Sequence, residues 1–172
     1  MKDLAPKKNV KPEPEALAAE GIEATASWKF ETWGNPAQVT VLTEKGTKML
    51  MVSFVAGGKQ DKVAVRADVG KLDLSKKKKI VLSVCNMTGK PSRFALAFIT
   101  SDDFFESRTR TLKPGWNMNV EFDLTGKDYK CKTSNWTFSS PIKGKDKVNV
   151  IELMLYSYRA QGLFYFDEIR FE

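Results

Sequence analysis

Leu112-Lys113-Pro114-Gly115-Trp116-Asn117-Met118-Asn119-Val120-Glu121-Phe122-Asp123-Leu124 reads as a turn followed by a strand. A Pro-Gly turn feeds a run in which apolar and polar residues nearly alternate, the pattern of a half-buried strand. The C-terminal run Gly162-Leu163-Phe164-Tyr165-Phe166-Asp167-Glu168-Ile169-Arg170-Phe171-Glu172 repeats the arrangement and carries an acid, Asp167, between apolar neighbours.

Outward from these two segments the same pattern fills the chain. Strand candidates lie at 28–32, 38–43, 48–55, 62–68, 80–86, 93–100, 107–112, 118–124, 148–158 and 163–171. Turn clusters such as Trp33-Gly34-Asn35-Pro36, Ala56-Gly57-Gly58-Lys59 and Thr88-Gly89-Lys90-Pro91 separate them. Short strands at this spacing, with no strong amphipathic helix after residue 21, predict an all-β, two-sheet antiparallel sandwich rather than βαβ units. Residues 1–20 read as a flexible Lys-, Pro- and Ala-rich tail or linker, and residues 21–172 as one β-sandwich domain.

Composition narrows the chemistry. The chain has 172 residues and a net charge of +7, but the lysines are scattered through turns. The one dense block, Lys76-Lys77-Lys78-Lys79, reads as a solvated or edge-protecting loop. No nucleic-acid motif accompanies it, and no apolar run approaches the roughly 20 residues of a membrane span. The first residues contain no apolar signal core, so the chain is either cytosolic or a mature piece of an exported protein. Histidine is absent, which excludes histidine acid/base chemistry and leaves carboxylates as the main resource. Cys85 and Cys131 could form one disulfide, while the apolar pattern around Cys85 suits a buried free thiol equally well.

Alternation assigns faces. In 93–100, Phe94, Leu96 and Phe98 oppose Ala95, Ala97 and Ile99. In 148–158, Ile151, Leu153 and Leu155 oppose Glu152, Met154, Tyr156 and Tyr158, a mixed polar and aromatic row suited to a groove. The long loop at 125–147 carries Trp136 and Phe138.

Taken in order, the pieces follow one domain plan: Phe30-Glu31 in the first strand, Gly46-Thr47-Lys48-Met49-Leu50, then Leu72-Asp73-Leu74-Ser75 before the strand at 80–86, the Pro114-Gly115-Trp116-Asn117 turn, and the final Phe166-Asp167-Glu168-Ile169-Arg170-Phe171. This order resembles the non-catalytic carbohydrate-binding modules with a galactose-binding-domain-like jelly roll. The resemblance implies polysaccharide or oligosaccharide binding in a concave groove, a neighbouring glycan-degrading catalytic domain, and an extracellular or cell-surface address. It also implies a structural calcium held by Glu31 and Asp167, with Glu44 or a turn carbonyl as a further ligand.

Sugar binding needs aromatic rings for pyranose C–H faces and planar polar groups for paired hydroxyls. The segment 101–110 supplies both, so Phe104, Phe105, Glu106, Arg108 and Arg110 are candidates, with one of the two adjacent phenylalanines expected in the core. Tyr156, Tyr158 and Arg159 would join from a second strand, and Trp136 as a lid or side platform. Two further readings stand beside this one. A jelly-roll glycosidase would need paired carboxylates about 5 Å apart, and no Glu-x-Asp-x-Glu row occurs; a lyase would need a tyrosine base beside an arginine. A structural or protein-binding sandwich would bury the same aromatics.

Overall fold

The computed structural model describes residues 22–172, so the tail expected at 1–20 lies outside the described residues. Among these, twelve strands form two antiparallel sheets. The larger has the order β1 (Ser27–Phe30), β4 (Val63–Leu72), β11 (Val148–Tyr156), β6 (Ser92–Ile99), β7 (Phe104–Ser107) and β10 (Tyr129–Lys130), with β8 (Arg110–Leu112) pairing the start of β6. The smaller runs β2 (Gln38–Glu44), β3 (Thr47–Phe54), β12 (Gly162–Phe171), β5 (Lys79–Asn86) and β9 (Gly115–Asp123). The all-β sandwich expected from the alternation is therefore the observed fold, and no helix among the described residues is long and apolar enough to cross a membrane.

Inward-facing residues of both sheets make one core. Phe94, Leu96, Phe98, Phe105, Ile151 and Leu153 meet Leu50, Val52, Leu82, Phe122, Phe164 and Phe166. Phe94 bridges the layers, with its ring 5.6 Å from Phe122 and 5.5 Å from Phe166. Fully burying such side chains stabilises the fold by about 1.5–3 kcal/mol each before entropy is counted. Both cysteines are buried free thiols; Cys85 packs with Met49 and Tyr165 on the outer side of the smaller sheet.

Three details depart from the sequence expectation. The strand expected at 107–112 is two strands, because the Ser107 hydroxyl accepts the Leu96 N–H and interrupts the ladder. β4 continues to Leu72, four residues beyond the alternating run. A four-residue helix, α1 (Ile22–Thr25), precedes β1. It is anchored by Glu23, whose carboxylate accepts the N–H groups of Glu168 and Ile169 at 3.0 Å each. Those donors are exposed by a bulge in β12, where Glu168 adopts φ 54°. The first and last described elements are thereby clasped together.

Candidate functional site

Register alone constructs a polar line across the outer face of the larger sheet. Lys29 faces Arg66, Arg66 faces Glu152, Glu152 faces Ala97, Ala97 faces Glu106, and Glu106 faces Lys130. Directly opposed residues on adjacent strands share a face, so all six side chains belong to one surface. The same registers put Phe104 on this face and Phe105 opposite Phe98 in the core.

Small side chains form the floor. Ala64, Ala95 and Ala97 with Met154 make a buried cluster against which Phe104 and Tyr156 pack. Aromatic rings follow one another above it. Trp136 lies 6.4 Å from Phe104, and Phe104 lies 6.5 Å, edge-on, from Trp33. The Lys62 ammonium sits 5.8 Å from the Trp33 ring and 4.8 Å from Tyr156, and Tyr156 lies 6.2 Å from Tyr158. Trp33, Trp136 and Tyr158 remain 43%, 53% and 58% exposed. Exposed rings gathered on one surface form the kind of apolar patch that marks an interaction site.

Local structure aims these rings. Asn35, buried in the turn after β1, donates to the Gln60 carbonyl (2.7 Å) and the Ser157 hydroxyl (3.2 Å), and accepts the Gln60 N–H (2.8 Å). It thus fixes the turn that presents Trp33. Gly58 is required beside it, since a Cβ there would fall 2.3 Å from the Asn35 side chain. In the long loop, Asn135 and Trp136 both adopt left-handed φ (52° and 58°), which reverses the chain after the 3₁₀ turn Lys132–Ser134. Asp103 ties that loop to β7 by accepting the N–H groups of Thr133 and Phe104.

The charges are matched in pairs. Buried Glu106 accepts a hydrogen bond from the Tyr156 hydroxyl and lies 3.2 Å from Lys130 and 3.5 Å from Lys62. Burial, then the Glu106 carboxylate, push the Tyr156 phenol well above its usual range. Arg66 reaches Glu31 at 2.8 Å and Asp68 at 2.7 Å, and Lys29 reaches Asp68 at 3.5 Å. Glu152 is fully buried, and both of its oxygens lack a hydrogen-bond partner, as does Arg66 Nε. Burial, followed by the neighbouring Glu31 carboxylate, raises the Glu152 carboxyl to about 8.

Of the sugar-binding candidates, Phe104, Glu106, Trp136, Tyr156 and Tyr158 are brought together. Phe105 is not: it is a fully buried core residue, because the strand period sends adjacent side chains to opposite faces. Arg108 stands at the rim, paired with Asp128 (3.3 Å) over the Phe138 ring. Arg110 leaves the face. It pairs with inward-pointing Phe94, and its guanidinium escapes at the sandwich edge to the Glu121 carbonyl and the Phe122 ring. Arg159 lies exposed on the turn after β11, and none of its described interactions reaches the face. Trp33, Lys62 and Asn35 are the additions. Trp33 beside Gly34-Asn35-Pro36 could be read as exposed, but only the folded turn shows where it points.

The calcium set does not converge. Glu31 lies at the larger sheet with Arg66, while Glu44 ends β2 and Asp167 lies on β12 in the smaller sheet. Among the described residues no group of three acids or thiols could hold a metal. The acid that does approach Asp167 is Glu23: both carboxylates accept the Glu168 N–H. Burial, with the Asp167 charge adding to it, raises the Glu23 carboxyl to about 6 against its backbone hydrogen bonds.

No protein-family model and no curated protein sequence matches the chain. Solved structures do. A family 11 carbohydrate-binding module of a cellulosomal cellulase of Clostridium thermocellum superposes with TM-score 0.62 at 16% identity, covering 88% of this chain and 91% of that one. A non-crystalline cellulose specific module, CBM28, gives TM-score 0.63 at 14% identity, over 94% and 96%. An exo-β-agarase gives TM-score 0.64 at 11% identity over 90% of this chain but 25% of its own. The chain folds as the jelly-roll β-sandwich of carbohydrate-binding modules.

Proposed function

We propose that this domain binds a polysaccharide or oligosaccharide without catalysis, along the outer face of the larger sheet. The observation that carries the reading is two aromatic groups, Trp136–Phe104–Trp33 and Tyr156–Tyr158, joined by the Lys62 ammonium over a floor of alanines. Successive rings offer platforms for the C–H faces of successive sugars, and Glu106, Lys62 and Lys130 between them offer hydroxyl partners. The sandwich's likeness to a family 11 module in complex with a β-1,3-1,4-mixed-linked tetrasaccharide and to a non-crystalline cellulose specific module supports a glycan ligand.

The chemistry of the face speaks against a lyase. A lyase base must give up its phenolic proton, whereas Tyr156 donates to Glu106 and is held protonated. The likeness to a stretch covering 25% of an agarase supports a module carried beside a glycan-degrading domain. Affinity electrophoresis against soluble glucans, xylans, mannans, agarose and polyuronates, with pull-down on insoluble cellulose, tests the proposal. Retention on one class, lost in Trp33→Ala and Phe104→Ala, is the expected result. Retention on none would transfer the domain to a structural or protein-binding role.

A further inference from the structure

Beyond Tyr156 the aromatic row runs to the end of the sandwich, where the turns after β5 and β11 leave a cavity of about 510 Å³. Its floor is apolar: Phe54, Leu155 and Phe164. Its rim includes Tyr158, Lys90 and Arg93. Tyr158 and Arg159 are consecutive non-glycine residues at φ 42° and 65°, a conformation that side chains disfavour. The turn is held in it by the Tyr158 N–H on the Asp61 carbonyl (3.2 Å) and the Gly57 N–H on the Arg159 carbonyl (3.0 Å). What this strained turn presents to solvent at the cavity mouth is the Tyr158 ring.

Arg93 differs from every other cation of the face. Lys29, Lys62, Arg66, Arg108 and Lys130 each lie within 4 Å of a carboxylate. Arg93 donates only to neutral hydroxyls: Nη1 to Tyr158 (2.9 Å), Nε and Nη2 to Thr109 (3.2 and 2.9 Å). Asp61, whose charge is felt at Tyr156, makes no ion pair with it among the described residues. Arg93 makes no ion pair among the described residues and lies 5.5 Å from the Tyr156 ring, and a guanidinium's planar fork of donors is matched to a carboxylate.

We infer that the cavity is a pocket for a uronate, a sugar bearing a carboxylate, at the end of or branching from the glycan on the aromatic row. The ring's C–H face rests on the apolar floor and on Tyr158, and its carboxylate meets Arg93 with Lys90 alongside. The inference rests on the proposed sugar-binding face only for the chain's path; the pocket itself is testable alone.

The experiment is a two-dimensional NMR titration of the whole chain with glucuronate and, separately, glucose. Glucuronate is expected to shift the Arg93 Nε–Hε and the Gln161 and Tyr158 amide signals, glucose to shift them at least tenfold more weakly, and 0.5 M NaCl to suppress the difference. In Arg93→Gln the preference should vanish while amide dispersion is retained, and Arg93→Lys should restore part of it, as a point charge without the fork. Equal response to the two sugars, or no response to glucuronate, overturns the pocket. A neutral oligosaccharide distinguishes the two readings: if it binds and loses affinity only with Trp33→Ala, the face stands whatever becomes of the pocket.

Discussion

Glu152 on β11 and Arg66 on β4 stand directly opposite each other, yet they do not pair. The guanidinium turns instead to Glu31 and Asp68, leaving Arg66 Nε and both Glu152 oxygens unbonded beneath the aromatic row. Buried polar atoms are ordinarily satisfied, and a buried carboxyl that meets no donor and has the Glu31 carboxylate beside it answers by keeping its proton. This explains the raised Glu152 carboxyl and gives it a measurable signature.

Glu152 titrates near 4.5 when unfolded and near 8 when folded. The folded state therefore binds the extra proton, and stability associated with this group is full below pH 4.5 and is lost as pH rises to about 8. Glu152→Gln, which has no charge to desolvate, should match the parent at pH 4 and exceed it by on the order of 2–4 kcal/mol at pH 9. Urea unfolding at the two pH values reads this directly. A pH-independent difference would mean that Glu152 is ionised and partnered after all.

Phe104 and Phe105 separate binding from folding. Phe105→Ala empties a core site and should cost about 3–5 kcal/mol of stability. Phe104→Ala touches the outer face, so it should leave unfolding within about 1 kcal/mol of the parent and weaken glycan binding at least tenfold. Denaturation curves beside binding isotherms for the two variants decide this. A Phe105 variant that stays stable and loses sugar would invert the face assignment.

The same pair shows what was legible in the sequence. Period-two alternation gave the sandwich, the inward trio Phe94, Leu96 and Phe98, and the outward row Glu152, Met154 and Tyr156, because strand geometry is local. It could not say which of two adjacent phenylalanines faced inward, since that parity depends on the partner strand's register. Arg110 was misplaced because the Ser107 hydroxyl breaks the strand before it. Trp33 and Lys62 come from segments about thirty positions apart in sequence, and only the Asn35 clasp brings their turns together. For the acid opposing Asp167, the first strand offered Glu31, while the fold uses Glu23 in a helix with no pattern of its own.

That clasp bears on calcium. Two carboxylates sharing one N–H repel each other, which is why the Asp167 charge helps to raise the Glu23 carboxyl to about 6. A dication there would relieve the repulsion, although the ion prefers six to eight oxygens and the described acids supply two residues. With only two acids at the clasp, calcium at 1 mM is expected to leave the Tm at its value in chelator. A rise in Tm that is lost in Asp167→Asn and Glu23→Gln would place the ion at the clasp after all.

Asn35 offers the most stringent test of the proposed face, because it would act on sugar without touching it. Its amide makes three hydrogen bonds that hold the Trp33 turn to the loop at 55–62 and to Ser157. Asn35→Ala should cost about 1–3 kcal/mol, since the Gln60 N–H and carbonyl lose their partner in a partly buried setting. With the turn released, Trp33 is no longer fixed 6.5 Å from Phe104, and the ring must be ordered at the moment of binding. The expected result is a folded protein whose glycan affinity falls by several-fold to tenfold, mainly through faster dissociation. Tryptophan fluorescence, read against Trp33→Ala as the blank, should show a red shift of the Trp33 contribution in the free variant. An unchanged affinity with a mobile Trp33 would mean that the indole is not part of the binding platform, which would then divide between Trp136–Phe104 and Tyr156–Tyr158.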